Sequence, residues 1–293
     1  MQAMPPDLES DLKACLSARG FNRQKAELVG AFVSRCVGLT HAAHERLIET
    51  SNWEKFLTKK GALSKVSKGI PRVKETAITA DIALVAKNLL RNPLVPRRPS
   101  LKSTIASSAI AGVDADATAP SVTATGNSSK RPDLVFTPAD PELNLAFAVE
   151  AKVLETPADC EGVLLGDTGL GCFTRAEDPY ETSGVIGLYG YAEESEAVSH
   201  RAVMHAAFTA GKGSAQGCTQ VTFVDRRCHW DGTDLDRGSL LAHMNKQPLV
   251  CIAVVLGFPA IRLPTVLPKM AARRAKVEPK TGPSSTLTAP VSA

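Results

Sequence analysis

Arg131-Pro132-Asp133-Leu134-Val135-Phe136, a short polar turn, then Leu145-Ala146-Phe147-Ala148-Val149-Glu150-Ala151-Lys152-Val153-Leu154 is the stretch from which the fold is read. Each half is an apolar run of strand length. Residues 137–144 between them hold two prolines and two acids, a turn signal, so the pair predicts a β-hairpin. Side chains alternate faces along a strand, so Glu150 and Lys152 share a face with Ala146 and Ala148, which leave room beside them. Phe147, Val149, Ala151 and Val153 fill the other face. A carboxylate and an amine two residues apart on a buried strand are costly unless something uses them. An exposed hairpin carrying a weak surface ion pair would also account for them. The flanking residues are too apolar to favour an exposed strand.

The chemistry that uses such a set is metal-assisted hydrolysis of a phosphodiester. Two carboxylates at adjacent strand ends suit a hard cation bound through oxygen. Pro132-Asp133, followed by Glu150-Ala151-Lys152 at the end of the next apolar strand, resembles the PD-(D/E)xK nuclease superfamily, the restriction-endonuclease-like fold. The resemblance implies an α/β protein with an αβββαβ core and a mixed central sheet. It implies Asp133 and Glu150 as ligands of Mg2+, with Mn2+ a substitute, and Lys152 beside the attacking water. It also implies a place in the metal shell for a glutamate on the helix before the hairpin. Glu75 is that candidate, one turn before Ile78 on the apolar stripe Ile78, Ile82, Val85, Leu89. An acid favoured by the dipole at the start of a helix is the other reading of Glu75.

The chain is 293 residues long, enough for one large domain or two small ones. Hydrophobic residues make up 44%, so a sizeable core is possible; aromatics are only 5%, so close-packed, small-faced helices are expected. A net charge of +4 and a pI near 8.7 are compatible with a polyanion partner without requiring one. No apolar run reaches membrane-spanning length and no signal peptide is evident. Seven cysteines with no C-x-x-C pair point to free thiols and a cytoplasmic location.

Residues 1–72 read as a helical N-terminal region. Leu8, Leu12, Cys15 and Leu16, then Val29, Phe32, Val33 and Cys36, fall at helical spacing, and Ser51 to Glu54 has the form of a capping box. His41 and His44 lie three apart with no third ligand near in sequence, so solvated or core histidines are expected. From Lys55 to Lys74 the charge is wholly basic; Lys59, Lys60, Lys65 and Lys68 are candidate phosphate contacts, the alternative being a solvated helix face. Arg131 and Arg175 are further candidates, an ion pair being the alternative for Arg175.

The expected nuclease-like core occupies 73–263, with a flexible insertion at about 97–129 that lacks an apolar period. The first of the three leading strands has no clear position. A helix is expected from Ser183 to about Thr209, with Gly184, Gly187 and Gly190 on one bare face. Thr219–Asp225 reads as a strand, Leu240–Met244 as a short helix and Pro248–Phe258 as a central buried strand. Residues 264–293 read as a disordered basic tail. Two functions from different classes follow. One is a metal-dependent nuclease with DNA favoured over RNA, an effector of phage defence acting with a second copy or a defence-system partner protein. The other is a non-catalytic nucleic-acid-binding or scaffolding subunit. A structural α/β protein with an incidental charged trio is a third.

Overall fold

The computed structural model describes residues 8–64, 71–91, 109–115, 131–140, 145–175, 184–215, 218–230, 233–244 and 249–263; for 218–244 it describes the backbone only. The leucines spaced at a helical period bury one face of α1 (Leu8–Ala18). Helix α2 (Arg23–Ile48) starts at Asn22, whose side chain accepts the Lys25 N–H at 2.8 Å. Helix α3 (Thr50–Leu57) follows almost without a break. Its start corrects the expected capping box: Glu49, not Ser51, stands at the N-cap and no side chain caps the helix. Asn52 ties that corner instead, donating to the Arg46 carbonyl at 2.8 Å and to Glu49 at 3.0 Å. Helix α4 (Glu75–Arg91) buries Ile78, Ile82 and Leu89 as the stripe requires.

Among the described residues, seven strands form one mixed sheet in the order β1-β2-β3-β4-β7-β6-β5. They are β1 (Ile110–Ala115), β2 (Leu134–Pro138), β3 (Phe147–Val153), β4 (Val185–Glu193), β5 (Cys218–Trp230), β6 (Thr233–Met244) and β7 (Leu249–Phe258). The expected hairpin is β2–β3, antiparallel, with β1 antiparallel on its outer side. Strands β3, β4 and β7 run parallel to one another, and β6 and β5 return antiparallel. A π-helical turn (Cys160–Leu164) and the one-turn helix α5 (Gly171–Thr174) lie between β3 and β4; α6 (Ala197–Thr209) follows β4.

Alternation along β3 divides the core. Phe147, Val149 and Ala151 join Tyr189 and Tyr191 of β4 in a cluster filled by α1–α4. Ala148 joins Ile186, Leu188, Cys251 and Ala253 in a second cluster closed by the π-turn, α5 and α6. The sheet is therefore sandwiched between two helical layers, an α/β architecture.

Three further sequence expectations are corrected. The helix expected from Ser183 is β4 up to Glu193, and only α6 beyond it is helical. Val, Ile, Leu and Tyr between the glycines are strand formers, and the glycines make close approaches. A Cβ on Gly187 would lie 2.7 Å from Val149 Cγ2, and one on Gly190 would lie 2.4 Å from Leu154 Cδ1. The helix expected at Leu240–Met244 is the end of β6, paired with β7 from Ser239 to Met244. The missing leading strand is β1, inside the stretch read as a flexible insertion, where Ile110 and Val113 are buried. The rest of that insertion and the basic tail lie outside the described residues. Strand β7 is central and buried, as expected, and the expected strand at 219–225 extends over all of β5. Among the described residues no helix is long and apolar enough to cross a membrane. Among the described residues, Cys15, Cys36, Cys160, Cys172 and Cys251 form no disulfide.

Candidate active site

Strand β2 covers β3 only from Phe147 to Val149, opposite Phe136 to Leu134. Beyond that point the ladder stops, yet β3 runs on, so its outward N–H groups need other acceptors. Two carboxylates supply them. Asp133, one residue before β2, accepts the Ala151 N–H on Oδ2 at 2.8 Å. Glu75, in the first turn of α4, accepts the Val153 N–H on Oε2 at 3.0 Å. Both acids are thereby fixed beside the end of β3 that carries Glu150 and Lys152.

Lys152 binds all three acids. Its Nζ lies 2.8 Å from Glu150 Oε1, 3.3 Å from Glu75 Oε1 and 3.7 Å from Asp133 Oδ2. Glu150 and Lys152 are only 6% and 9% exposed, so these are not surface pairs. Glu150 Oε2 is buried, and a side-chain hydrogen bond joins Glu150 to Asp133. Burial pushes the Glu150 carboxyl up to about 8, and the charge of Asp133 adds to it against the pull of Lys152. Burial likewise raises Asp133, opposed by the Ala151 N–H and Lys152, and it raises Glu75, opposed chiefly by Lys152. Burial works against the Lys152 charge, but Glu150, Glu75 and Asp133 outweigh it and hold the ammonium above its usual range. Lys152 is thus charged, while Glu150 keeps its proton near neutral pH.

A hydroxyl pair supports the cluster from below. Tyr191 of β4 stands beside Val153 in register, and its hydroxyl lies 3.1 Å from Thr79 Oγ1. Thr79 in turn donates to the Glu75 carbonyl at 3.0 Å, anchoring the first turn of α4. Burial holds the Tyr191 phenol well above its ordinary value. At the rim, Glu155 pairs with Arg72 at 2.5 Å, and Arg262 donates to the Glu155 carbonyl. Reading the sequence missed Tyr191, Thr79 and Arg262. Tyr191 was hidden by the helical reading of its strand, and Arg262 carries no local signal.

The structure brings Glu75, Asp133, Glu150 and Lys152 together. Lys59 pairs with Asp81 at 2.5 Å, which uses its charge, while Lys60 is exposed. Lys65 and Lys68 lie outside the described residues. Arg131 is exposed two residues before Asp133, and Arg175 is half-buried at the end of α5 with Nε unpartnered. Among the described residues, no three of His, Cys, Asp and Glu stand around a single point where an ion could be held. The acids converge on an ammonium instead. Comparison with family models, with curated proteins and with solved structures finds no match to this chain.

Proposed function

We propose that this chain is a divalent-metal-dependent nuclease that hydrolyses phosphodiester bonds, with DNA the expected substrate and the cytoplasm its place of action. The observation that carries the reading is the convergence of Glu75, Asp133 and Glu150, from three elements, on the Lys152 ammonium. Capping the free edge of β3 does not explain it, because Asn or Gln would accept the same N–H groups without burying charge. Withdrawing three acids from water around one base carries a desolvation penalty, which makes a use for the cluster beyond folding the better account. What supports the reading in the fold is a helix, α4, ahead of three antiparallel strands β1–β3, with β4 parallel to β3; the link between β3 and β4 holds only single turns of helix.

The donor set fits a hard cation: carboxylate oxygens of Asp133, Glu150 and Glu75 are those Mg2+ or Mn2+ prefers. Asp133 and Glu150 would hold the ion, with Glu75 in its shell. Loading requires Lys152 to release at least one acid and Glu150 to lose its proton. When bound, such an ion polarises the phosphate and lowers the pKa of a bound water. The chain's own contribution is the Lys152 ammonium, able to orient that water or steady charge on the phosphate. A defence role with a partner protein rests on the motif's resemblance alone.

The closed Lys152 cluster favours a second reading, a nucleic-acid-binding or scaffolding subunit with an inactive site. Calorimetric titration of Mg2+ and Mn2+ beside plasmid nicking, with EDTA as control, separates the two. The nuclease reading expects Asp133→Ala and Glu150→Ala to lose both binding and cleavage. Lys152→Ala should keep much of the binding and lose most of the rate. A wild type that binds no ion and cuts nothing with its partners present leaves the second reading.

A further inference from the structure

We propose that the cavity at the carboxyl ends of β4 and β7, between α2 and α6, binds a small organic anion. The proposal stands apart from the nuclease reading. Strands β4 and β7 are parallel neighbours, and in open α/β sheets ligands collect beyond the carboxyl ends of such strands. The cavity measures about 250 Å³, just below the roughly 300–1,000 Å³ of drug-sized ligand sites, so its occupant is small.

Its inner wall carries two imidazoles and a guanidinium. His41 and His44 of α2 line it and are each 2% exposed. A carbonyl only accepts, so the 2.7 Å contact of His44 Nε2 with the Gly257 carbonyl places that ring's proton on Nε2. The ring is held edge-on against Phe258 at 4.9 Å. Arg201 of α6 also lines the cavity, and its Nε is buried with no acceptor among the described residues. A buried guanidinium N–H without an acceptor is costly, and an anion removes that cost. The lip is apolar: Val198 is 69% exposed there. Glu194, exposed at the mouth, disfavours a multiply charged ligand. The Arg201 guanidinium inside, an apolar lip and Glu194 at the mouth select a molecule with a single anionic head and a short apolar body.

The test uses the full chain with benzoate and phenyl phosphate as probes and benzamide as the neutral control, read through the imidazole proton resonances of His41 and His44. Saturable shifts are expected with at least one anion and none with benzamide; which anion binds distinguishes a carboxylate head from a phosphate head. Arg201→Gln should weaken binding about tenfold or more, the worth of one hydrogen bond to a charged group. Val198→Trp, which fills the mouth and keeps Arg201, should also weaken it and guards against an unstable Arg201 variant. The proposal is overturned by any of three results: no saturable shift with either anion, benzamide binding as tightly as benzoate, or unchanged binding in a folded Arg201→Gln or Val198→Trp variant.

Discussion

One ammonium shared by three carboxylates cannot neutralise them all, and Glu150, the most buried of the acids, keeps its proton. This fixes the sign of a pH effect. The Glu150 carboxyl titrates at about 8 in the folded chain against an ordinary 4.5, so the folded state holds a proton that the unfolded state has lost. Stability from this group is complete below about 4.5 and is lost as the pH rises through about 8. The raised carboxyls of Asp133 and Glu75 act in the same direction. Thermal midpoints in metal-free buffer should therefore fall across that window, and Glu150→Gln should flatten the fall; an unchanged slope would place Glu150 in an ordinary carboxylate environment. Lys152→Met removes the shared cation and leaves three acids facing one another. It should cost about 3–5 kcal/mol in urea unfolding at neutral pH, and less in acid, where the carboxyls protonate. These four residues were legible in the sequence because each is a charge interrupting an apolar period. Tyr191 and Arg262 were not, since their places depend on strand register and on a contact across the sheet.

At the scale of elements, the hairpin and helix α4 were legible because period and turn chemistry agree along them. Strand β4 was not, because three glycines spaced by three imitate a bare helix face. Their use is different. Gly184 adopts φ +91°, while Gly187 and Gly190 point to opposite faces of the sheet and admit Val149 and Leu154. Strand β1 escaped notice because an edge strand of six residues with two buried apolar side chains carries little pattern. Gly187→Ala tests the close approach. The new methyl would meet Val149 Cγ2 at 2.7 Å and Phe147 Cζ at 2.9 Å; the valine is stiff, and both sit on the strand that carries the site. A loss of about 1–3 kcal/mol is expected. Gly190→Ala should cost less, because it meets the flexible end of Leu154. Adding Val149→Ala to Gly187→Ala should give a loss smaller than the sum of the two. Equal and additive losses would mean that the sheet yields to the methyl.

The whole molecule is tied together by segments that carry no periodicity. After β7 the chain returns to the segment before α4. Val73 donates to the Ile261 carbonyl at 3.0 Å, Leu263 to the Pro71 carbonyl at 3.0 Å, and Arg262 N–H to Glu193 at 3.1 Å. Arg72 and Arg262 form an isolated bridge. This strap lies just before Glu75, so it sets where α4 begins and hence where Glu75 meets Val153. The helices α1–α3 share the same core: Trp53 stacks on Phe56 at 4.8 Å and lies 5.4 Å from Phe258 of the central strand. Two truncations separate these contributions. A chain ending at Leu263 keeps the strap and should melt with the full chain. One ending at Phe258 loses it. Its α4 should fray at Glu75, with faster amide exchange at Val153 and in the first turn of α4, while Val254 at the middle of β7 stays protected. Loss of protection throughout the sheet would instead make the strap part of the cooperative core. Retained protection at Val153 would show that Glu75 is held by Thr79 and Tyr191 without it.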